Sequence, residues 1–127
     1  MKFVVDSYAW IEYLDGTMMG ETVKKILKGD NEFYTLSLIV SEVISRVKRM
    51  DQDVDVAYNA IISNSKIIQL DSEFSKEAGL LHAKMNKEIK NFGLVDSILL
   101  LCARKLRAKI VTGDEHFRNV KEAVLIK

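Results

Sequence analysis

Apolar and polar positions follow one another along the chain in blocks that predict strands and helices in alternation. Short apolar runs mark four strands, and a further run near the C-terminus is a candidate for a short edge strand. Longer segments, with apolar residues three or four positions apart, predict helices. The predicted strands cover residues 2–5, 32–35, 66–70, 109–112 and 123–127, and the predicted helices cover residues 7–14, 20–29, 37–50, 54–65, 71–87 and 90–106.

Short apolar strands separated by helices are typical of a parallel sheet that is covered on both faces. The expected fold is therefore α/β, with a central parallel β-sheet of four to five strands and helices on both faces. A chain of 127 residues without repeats or linker-like stretches predicts a single domain over residues 1–127. In such folds, ligands bind beyond the carboxyl ends of the strands.

Composition narrows the class of protein and the compartment. Hydrophobic residues make up 48% of the chain and charged residues 29%, as expected for a soluble globular protein. No apolar run approaches the ~20 residues that a membrane span needs, so no membrane association is expected. The single cysteine, Cys102, excludes an internal disulfide and predicts a cytoplasmic protein.

The charge distribution says more than the net charge of +1. Positive side chains are concentrated between residues 84 and 109, and they are Lys84, Lys87, Lys90, Arg104, Lys105, Arg107 and Lys109. A solvated helix face explains them most simply. Contact with phosphate groups is the sharper hypothesis, above all for Arg104, Lys105 and Arg107.

Two predicted strands run into carboxylates. The first strand continues as "VVDSYAW" with Asp6, and the fourth as "KIVTGDEHF" with Asp114. Asp96 stands at the start of the apolar segment "VDSILLLCA", and for this residue taken alone a helix cap or a partner of the helix dipole is the favoured explanation. Ser7 is a plausible N-cap of the first helix.

Glu42 lies at the edge of an apolar helix face, between Ile39 and Val43. An ion pair with Arg46, four residues further on, is the simple explanation. A carboxylate that loses water at such a position otherwise needs a cation, and a metal ion would supply one. Four carboxylates near one point repel each other, and divalent cations relieve that repulsion. Oxygen-only ligands suit Mg²⁺ or Mn²⁺.

Four segments, in this order, resemble the acidic blocks of the PIN-domain family: "VVDSYAWIEYL", "SLIVSEVISRV", "GLVDSILLLCARKL" and "IVTGDEHFRNV". The resemblance runs from Met1 to about Val120. Among the members of this family, the chain is most similar to the short VapC-type toxins of type II toxin–antitoxin pairs. The resemblance implies a PIN-like parallel sheet and a Mg²⁺- or Mn²⁺-dependent endoribonuclease that cleaves RNA phosphodiester bonds. It further implies a homodimer and a cognate antitoxin, with the apolar segments 8–14 and 42–50 as candidate interface surfaces.

The resemblance maps the metal-binding and catalytic acids of the family onto Asp6, Glu42, Asp96 and Asp114. It also matches Ser7 and Thr112 to hydroxyl residues that contact a carboxylate or the scissile phosphate. Glu115 is an alternative ligand or a solvent-facing acid of the first turn.

The remaining candidates are histidines and aromatic residues. His116 and His82 are far apart in sequence and lack a spaced third ligand, so neither is expected to bind a metal. His116 remains a candidate for substrate contact, and His82 is expected on a helix surface. Core packing is favoured over base stacking for Tyr8, Trp10, Tyr13 and Phe117.

Two other functions are alternatives to the ribonuclease. A PIN-like module that binds RNA or a protein without cleavage is the alternative, and the presence of all four acids argues against it. A signalling receiver domain would share the alternation of strands and helices and an early acid. It would need an acidic pair after the first strand and a lysine after the last, and the chain has neither.

Overall fold

In the computed structural model, which describes all residues from 1 to 127, five parallel strands form one sheet. The strands are β1 (Lys2–Val5), β2 (Glu32–Leu36), β3 (Lys66–Ile68), β4 (Lys109–Thr112) and β5 (Ala123–Leu125). The helices are α1 (Ser7–Asp15), α2 (Met18–Lys28), α3 (Ser37–Arg49), α4 (Val54–Asn64), α5 (Ser72–Glu88) and α6 (Leu94–Leu106). The predicted α/β class and the parallel sheet with helices on both faces are confirmed.

The strand order is β3-β2-β1-β4-β5, so the chain reverses its direction of travel across the sheet after β3. Helices α1 to α4 form one contacting group and α5 packs on α6. Right-handed connections place these two groups on opposite faces of the sheet. The topological switch point therefore lies between β1 and β4, and a crevice at the carboxyl ends of the strands is expected there.

The core follows from the apolar strands and from α6. Val4, Val5, Ile110 and Val111 in the central strands are 0–1% exposed, because helices cover both faces of a parallel sheet. Helix α6 buries residues on most of its circumference, as its nearly continuous apolar sequence predicts. No helix in the structure combines the length and the apolar character that a membrane crossing needs.

Helix α1 is fixed to the sheet by a buried hydrogen bond. The indole Nε1–H of Trp10 donates to Thr35 Oγ1 at 3.1 Å, and Trp10 is fully buried. The interpretation of Trp10 and Phe117 as core residues is therefore confirmed. Because the first turn of α1 follows Asp6 directly, this bond holds the start of α1 against the sheet next to the end of β1.

Several ends of the elements differ from the prediction. Helix α2 begins at Met18 because Thr17, which the apolar pattern does not mark, accepts a hydrogen bond from the backbone N–H of Gly20. Strand β3 is shorter than predicted and ends at Ile68. The prediction that Ser7 caps α1 is wrong: Asp6 is the N-cap and accepts from the Ser7 N–H.

Two helical glycines give a matched test of packing. A Cβ at Gly20 would collide with the carbonyl oxygen of Glu12, where α2 crosses α1, whereas a Cβ at Gly79 would meet open space. Gly20→Ala is expected to lower the free energy of unfolding by about 1–3 kcal/mol, because the packed backbones must move apart. Gly79→Ala is expected to raise it by about 0.4–1 kcal/mol. Urea unfolding of the two variants and the wild type measures both changes; equal effects would contradict the close approach of α1 and α2.

Candidate metal centre

The switch point of the sheet brings the first and last acids together. Val5 and Val111 are paired in register, so β1 and β4 end side by side. Asp6 follows β1 directly, and Asp114 lies two residues beyond β4. Both carboxylates therefore reach the same crevice at the carboxyl edge of the sheet.

The other two acids approach from helices. Asp96 lies in the first turn of α6, and its Oδ2 accepts from the backbone N–H of Gly93 at 2.8 Å. Glu42 projects from α3, which follows β2. The four carboxylates line one cavity of about 280 Å³, together with Ser7, Tyr8, Ile11 and Val95. Asp96 thus caps its helix and faces the cavity, so the two explanations for this residue are compatible.

A single threonine hydroxyl connects the two strand ends. Thr112 is fully buried, and its Oγ1–H donates to Asp6 Oδ2 at 2.8 Å. The same oxygen accepts from the backbone N–H of Asp114 at 3.0 Å. The predicted contact between Thr112 and a carboxylate is therefore present, and it holds Asp6 and the Asp114 backbone in a fixed relation.

Ser7 lies at the rim of the cavity. Its backbone N–H donates to Asp6 Oδ1 at 2.7 Å, while its hydroxyl is 3.4 Å from the same oxygen. The short backbone bond holds the carboxylate, and the weak hydroxyl contact leaves the Ser7 Oγ–H available for another acceptor.

Asp6 carries the strongest electrostatic perturbation of the cluster. Burial raises its pKa from an ordinary 3.8 to about 6, against the opposing effect of the hydrogen bonds from Thr112 and Ser7. The charges of Asp96 and Glu42 push the same pKa further up. In the absence of a cation, the Asp6 carboxylate is therefore harder to ionise in the folded protein than a solvated aspartate is.

Glu42 has no compensating cation. Its side chain is exposed as a whole, but partial burial of the carboxylate raises its pKa, and the charge of Asp96 adds to the effect. The expected ion pair between Glu42 and Arg46 is wrong, because Arg46 Nη1 lies 3.7 Å from Asp15 Oδ2 instead. Asp15 is exposed, distant in sequence, and reached only through the packing of α1 on α3.

Glu115 does not belong to the cluster. It accepts two hydrogen bonds from Arg118, at 2.6 and 2.8 Å, and pairs with Lys127. Arg118 is the main reason why the pKa of Glu115 falls to about 2, and Lys127 adds to the effect. The interpretation of Glu115 as a solvent-facing acid of the first turn is the one that the geometry supports.

The sequence argument against His116 fails in the folded chain. Its Nδ1 lies 3.1 Å from Asp96 Oδ2 and 3.4 Å from Asp114 Oδ1. Sequence separation hid this contact, because α6 and the loop after β4 meet only in the tertiary structure. The "DEHF" spacing was the available signal: a short 3₁₀ helix over Glu115–Phe117 turns His116 back towards the acid that precedes it.

The glycine between Thr112 and Asp114 is required by Tyr8. A Cβ at Gly113 would overlap the Tyr8 ring, which lines the cavity. Tyr8 is thus a partly buried wall residue packed against the loop that carries Asp114. These contacts explain the order Thr-Gly-Asp at the end of β4. Thr112 donates its hydroxyl to Asp6, Gly113 leaves room for the Tyr8 ring, and Asp114 presents its carboxylate to the cavity.

The sequence profile of the PIN domain matches residues 3–123. The chain belongs to the PIN-domain family. The resemblance drawn from the four acidic blocks is confirmed, since this match covers nearly the whole chain. No curated protein sequence matches it.

Solved structures support the PIN fold. VapC20 from Mycobacterium tuberculosis, described as a toxin that cleaves the sarcin-ricin loop, aligns with a TM-score of 0.76 at 14% identity, over 94% of this chain and 95% of that one. VapBC2 from Rickettsia felis, bound to a DNA fragment from its promoter, gives 0.75 at 15% identity, over 98% and 97%. A toxin–antitoxin complex from Klebsiella pneumoniae gives 0.71 at 18% identity, over 98% and 97%.

The raised pKa of Asp6 predicts how the metal-free protein responds to pH. The folded state keeps this proton up to about pH 6, whereas the unfolded chain releases it near pH 3.8. The folded state therefore binds more protons in this window, and its stability falls as the pH rises through it. Relative to Asp6→Asn, the wild type in chelator is expected to lose on the order of 3 kcal/mol of unfolding free energy across the window.

Urea unfolding of both proteins, at pH values from about 4 to about 7, measures this difference. The asparagine variant supplies the baseline, because its amide does not titrate and still offers an acceptor to the Ser7 N–H. A difference between the two proteins that stays constant with pH would contradict the burial of a shared carboxylate cluster.

Proposed function

We propose that this PIN domain is a metal-dependent endoribonuclease, and that its cation is held by Asp6, Glu42, Asp96 and Asp114. The observation that carries the proposal is the convergence of these four carboxylates on one cavity without a compensating cation from the protein. Oxygen ligands in this number fit Mg²⁺ or Mn²⁺. When bound, such an ion supplies Lewis acidity towards a phosphate and a water molecule.

The residues of the chain itself fix the geometry for this reaction. Thr112 and the Ser7 N–H hold the two oxygens of Asp6, and the Gly93 N–H holds one oxygen of Asp96. The carboxylates are therefore preorganised and need little rearrangement when an ion binds. The Ser7 hydroxyl is placed to donate to a phosphate oxygen at the rim.

A second groove supports RNA as the substrate. It has a volume of about 470 Å³, runs between α1 and α3, and shares Ser7, Ile11 and Glu42 with the acidic cavity. Arg46, Arg49, Ser41 and Ser45 line the rest of it. Arg46 Nη1 is buried without a hydrogen-bond acceptor, since Asp15 stands at ion-pair distance only. The Arg46 side chain as a whole is 30% exposed, so its remaining N–H groups can reach a phosphate oxygen in the groove.

The basic residues for which the sequence suggests phosphate contact line neither this groove nor the acidic cavity. Arg104 pairs with Glu122 at 2.9 Å and Lys105 with Glu77 at 3.0 Å. Arg107 forms the C-cap of α6, about 16 Å along the helix axis from Asp96. The far end of α6 therefore does not border the cavity, and the phosphate-contact hypothesis moves from these residues to Arg46 and Arg49.

The biological setting that we propose is a type II toxin–antitoxin pair, with a cognate antitoxin as the protein partner and a homodimer as the working state. The structural similarity to VapC20 and to the toxin–antitoxin complexes supports it. In the interface segments expected at 8–14 and 42–50, the buried core residues are Ala9, Trp10, Val43 and Val47, and the other residues are partly or fully exposed. The reducing cytoplasm inferred from the lone Cys102 stays a prediction.

The acids are tested by amide substitution. Asp6→Asn, Asp96→Asn and Asp114→Asn are each expected to keep the fold and to lose at least about a hundredfold in metal-dependent RNA cleavage, because a neutral amide binds Mg²⁺ poorly. Glu115→Gln is the matched control outside the cluster and is expected to cleave as the wild type does. Cleavage of a plain RNA, assayed with Mg²⁺, with Mn²⁺ and with chelator, measures the effect.

Melting curves separate loss of metal binding from loss of the fold. A hundredfold excess of Mn²⁺ over its Kd is expected to stabilise the wild type by about 2.7 kcal/mol, and Asp6→Asn is expected to lose most of this gain. Wild-type cleavage by all three asparagine variants would refute the site. Tight RNA binding without cleavage by the wild type would instead favour a non-catalytic PIN-like binding module.

The groove is tested by the salt dependence of RNA binding, with two double variants of equal charge. Arg46→Gln/Arg49→Gln is expected to weaken binding of single-stranded RNA and to lower the slope of log K against log salt by about 1.4, or ~0.7 for each lost phosphate contact. Arg104→Gln/Lys105→Gln removes the same charge at the far end of α6 and is expected to leave the slope nearly unchanged. Equal slopes for the two variants would refute the groove as the RNA path.

A further inference from the structure

His116 occupies a position that the acids alone do not explain. One ligand atom from each of Asp96, Asp114 and His116 lies within 4.8 Å of the other two. The backbone contributes to this placement, because the His116 N–H donates to Asp114 Oδ1 at 2.9 Å and closes the turn after Asp114. The turn that delivers Asp114 therefore also brings the imidazole to the carboxylates of Asp96 and Asp114.

The distances fit a shared ion. In an octahedral site with bonds of about 2.1 Å, neighbouring ligand atoms lie about 3.0 Å apart and opposite ones about 4.2 Å. His116 Nδ1 stands at 3.1 and 3.4 Å from its two carboxylate oxygens, within the range expected of neighbouring ligands. Its side chain is 38% exposed, so a hydrated ion can reach the nitrogen from solvent.

We propose that His116 Nδ1 is a ligand of the divalent ion in this PIN domain, and that it gives the site a preference for Mn²⁺ over Mg²⁺. The inference rests on the proposed metal site and specifies its ion. Mg²⁺ favours oxygen ligands and keeps its water molecules, whereas a nitrogen ligand suits the transition metals. A site made of carboxylates alone would distinguish little between Mn²⁺ and Mg²⁺. One imidazole ligand among the carboxylates introduces a preference for Mn²⁺.

A purely structural role for the imidazole makes the opposite forecast. Both neighbours of Nδ1 are hydrogen-bond acceptors, so without an ion the ring stays there by donating Nδ1–H to Asp96. If that bond is the only role of His116, the imidazole must give way before an ion can bind. Its removal would then strengthen the binding of Mn²⁺ and Mg²⁺ alike.

The experiment compares wild type, His116→Ala and His82→Ala as purified proteins. His82 is the only other histidine of the chain and lies on α5, so it is the matched control. The Kd values for Mn²⁺ and Mg²⁺ are measured by calorimetry without RNA. His116→Ala is expected to lose at least about tenfold in Mn²⁺ affinity and less than about threefold in Mg²⁺ affinity, whereas His82→Ala is expected to match the wild type.

A spectroscopic signature identifies the ligand directly. Bound Mn²⁺ in the wild type and in His82→Ala is expected to give the ¹⁴N coupling of a coordinated imidazole in pulsed electron paramagnetic resonance, and His116→Ala is expected to lack it. The inference would be overturned if the wild type lacked this coupling, or if the ratio of the Kd values for Mn²⁺ and Mg²⁺ were the same in His116→Ala as in the wild type. Either result would leave the metal site itself intact. Failure of the wild type to bind either ion would overturn the proposed metal-dependent function as well.

Discussion

Repulsion among carboxylates is the constraint around which the carboxyl edge of this sheet is organised. Asp6, Glu42, Asp96 and Asp114 come from four separate parts of the chain, namely the end of β1, helix α3, the start of α6 and the loop after β4, and they line one cavity. Burial is the main reason why the pKa of Asp6 rises to about 6, and the charges of Asp96 and Glu42 raise it further. A fold that relied on this end of the sheet for its stability would be expected to separate these groups.

The protein instead holds them in place with directed hydrogen bonds. The Thr112 hydroxyl links Asp6 to the turn before Asp114. In addition, a backbone N–H donates a hydrogen bond to one carboxylate oxygen of each of Asp6, Asp96 and Asp114. Such bonds to charged acceptors are stronger than neutral ones. They fix the orientation of each carboxylate without neutralising it, so the electrostatic demand for a cation persists in the folded state.

Much of this arrangement is predictable from sequence because it depends on local patterns. The apolar runs that end in Asp6 and Thr112 give the strands, and the position of parallel strand ends gives the crevice. Features that depend on packing between distant segments are not readable in this way. Arg46 pairs with Asp15 through the contact of α1 with α3, and His116 meets Asp96 only where α6 passes the loop after β4.

Local competition explains the error at Ser7. Asp6 and Ser7 are both good N-cap residues, and the sequence alone does not rank them. The structure uses Asp6, because β1 ends one residue earlier and the aspartate then has the extended backbone of a cap, with φ −79° and ψ 161°. One oxygen of the same carboxylate caps the helix and the other accepts from Thr112, so cap and cavity residue are a single side chain.

The acidic cavity repels a polyanion such as RNA, whereas the groove lined by Arg46 and Arg49 attracts it, and the two sites adjoin each other. A phosphate entering a cavity lined by four carboxylates is repelled until a cation is bound, whereas Arg46 and Arg49 attract the backbone of the same strand next to it. If the proposed function holds, metal and RNA would therefore favour each other at the boundary that Ser7, Ile11 and Glu42 share between cavity and groove. Such coupling is reciprocal: if the bound ion raises the affinity for RNA by some factor, bound RNA raises the affinity for the ion by the same factor. In the proposed ribonuclease, the four acids would thus make substrate binding depend on the metal, and the groove beside them would be the first attachment point of the RNA strand.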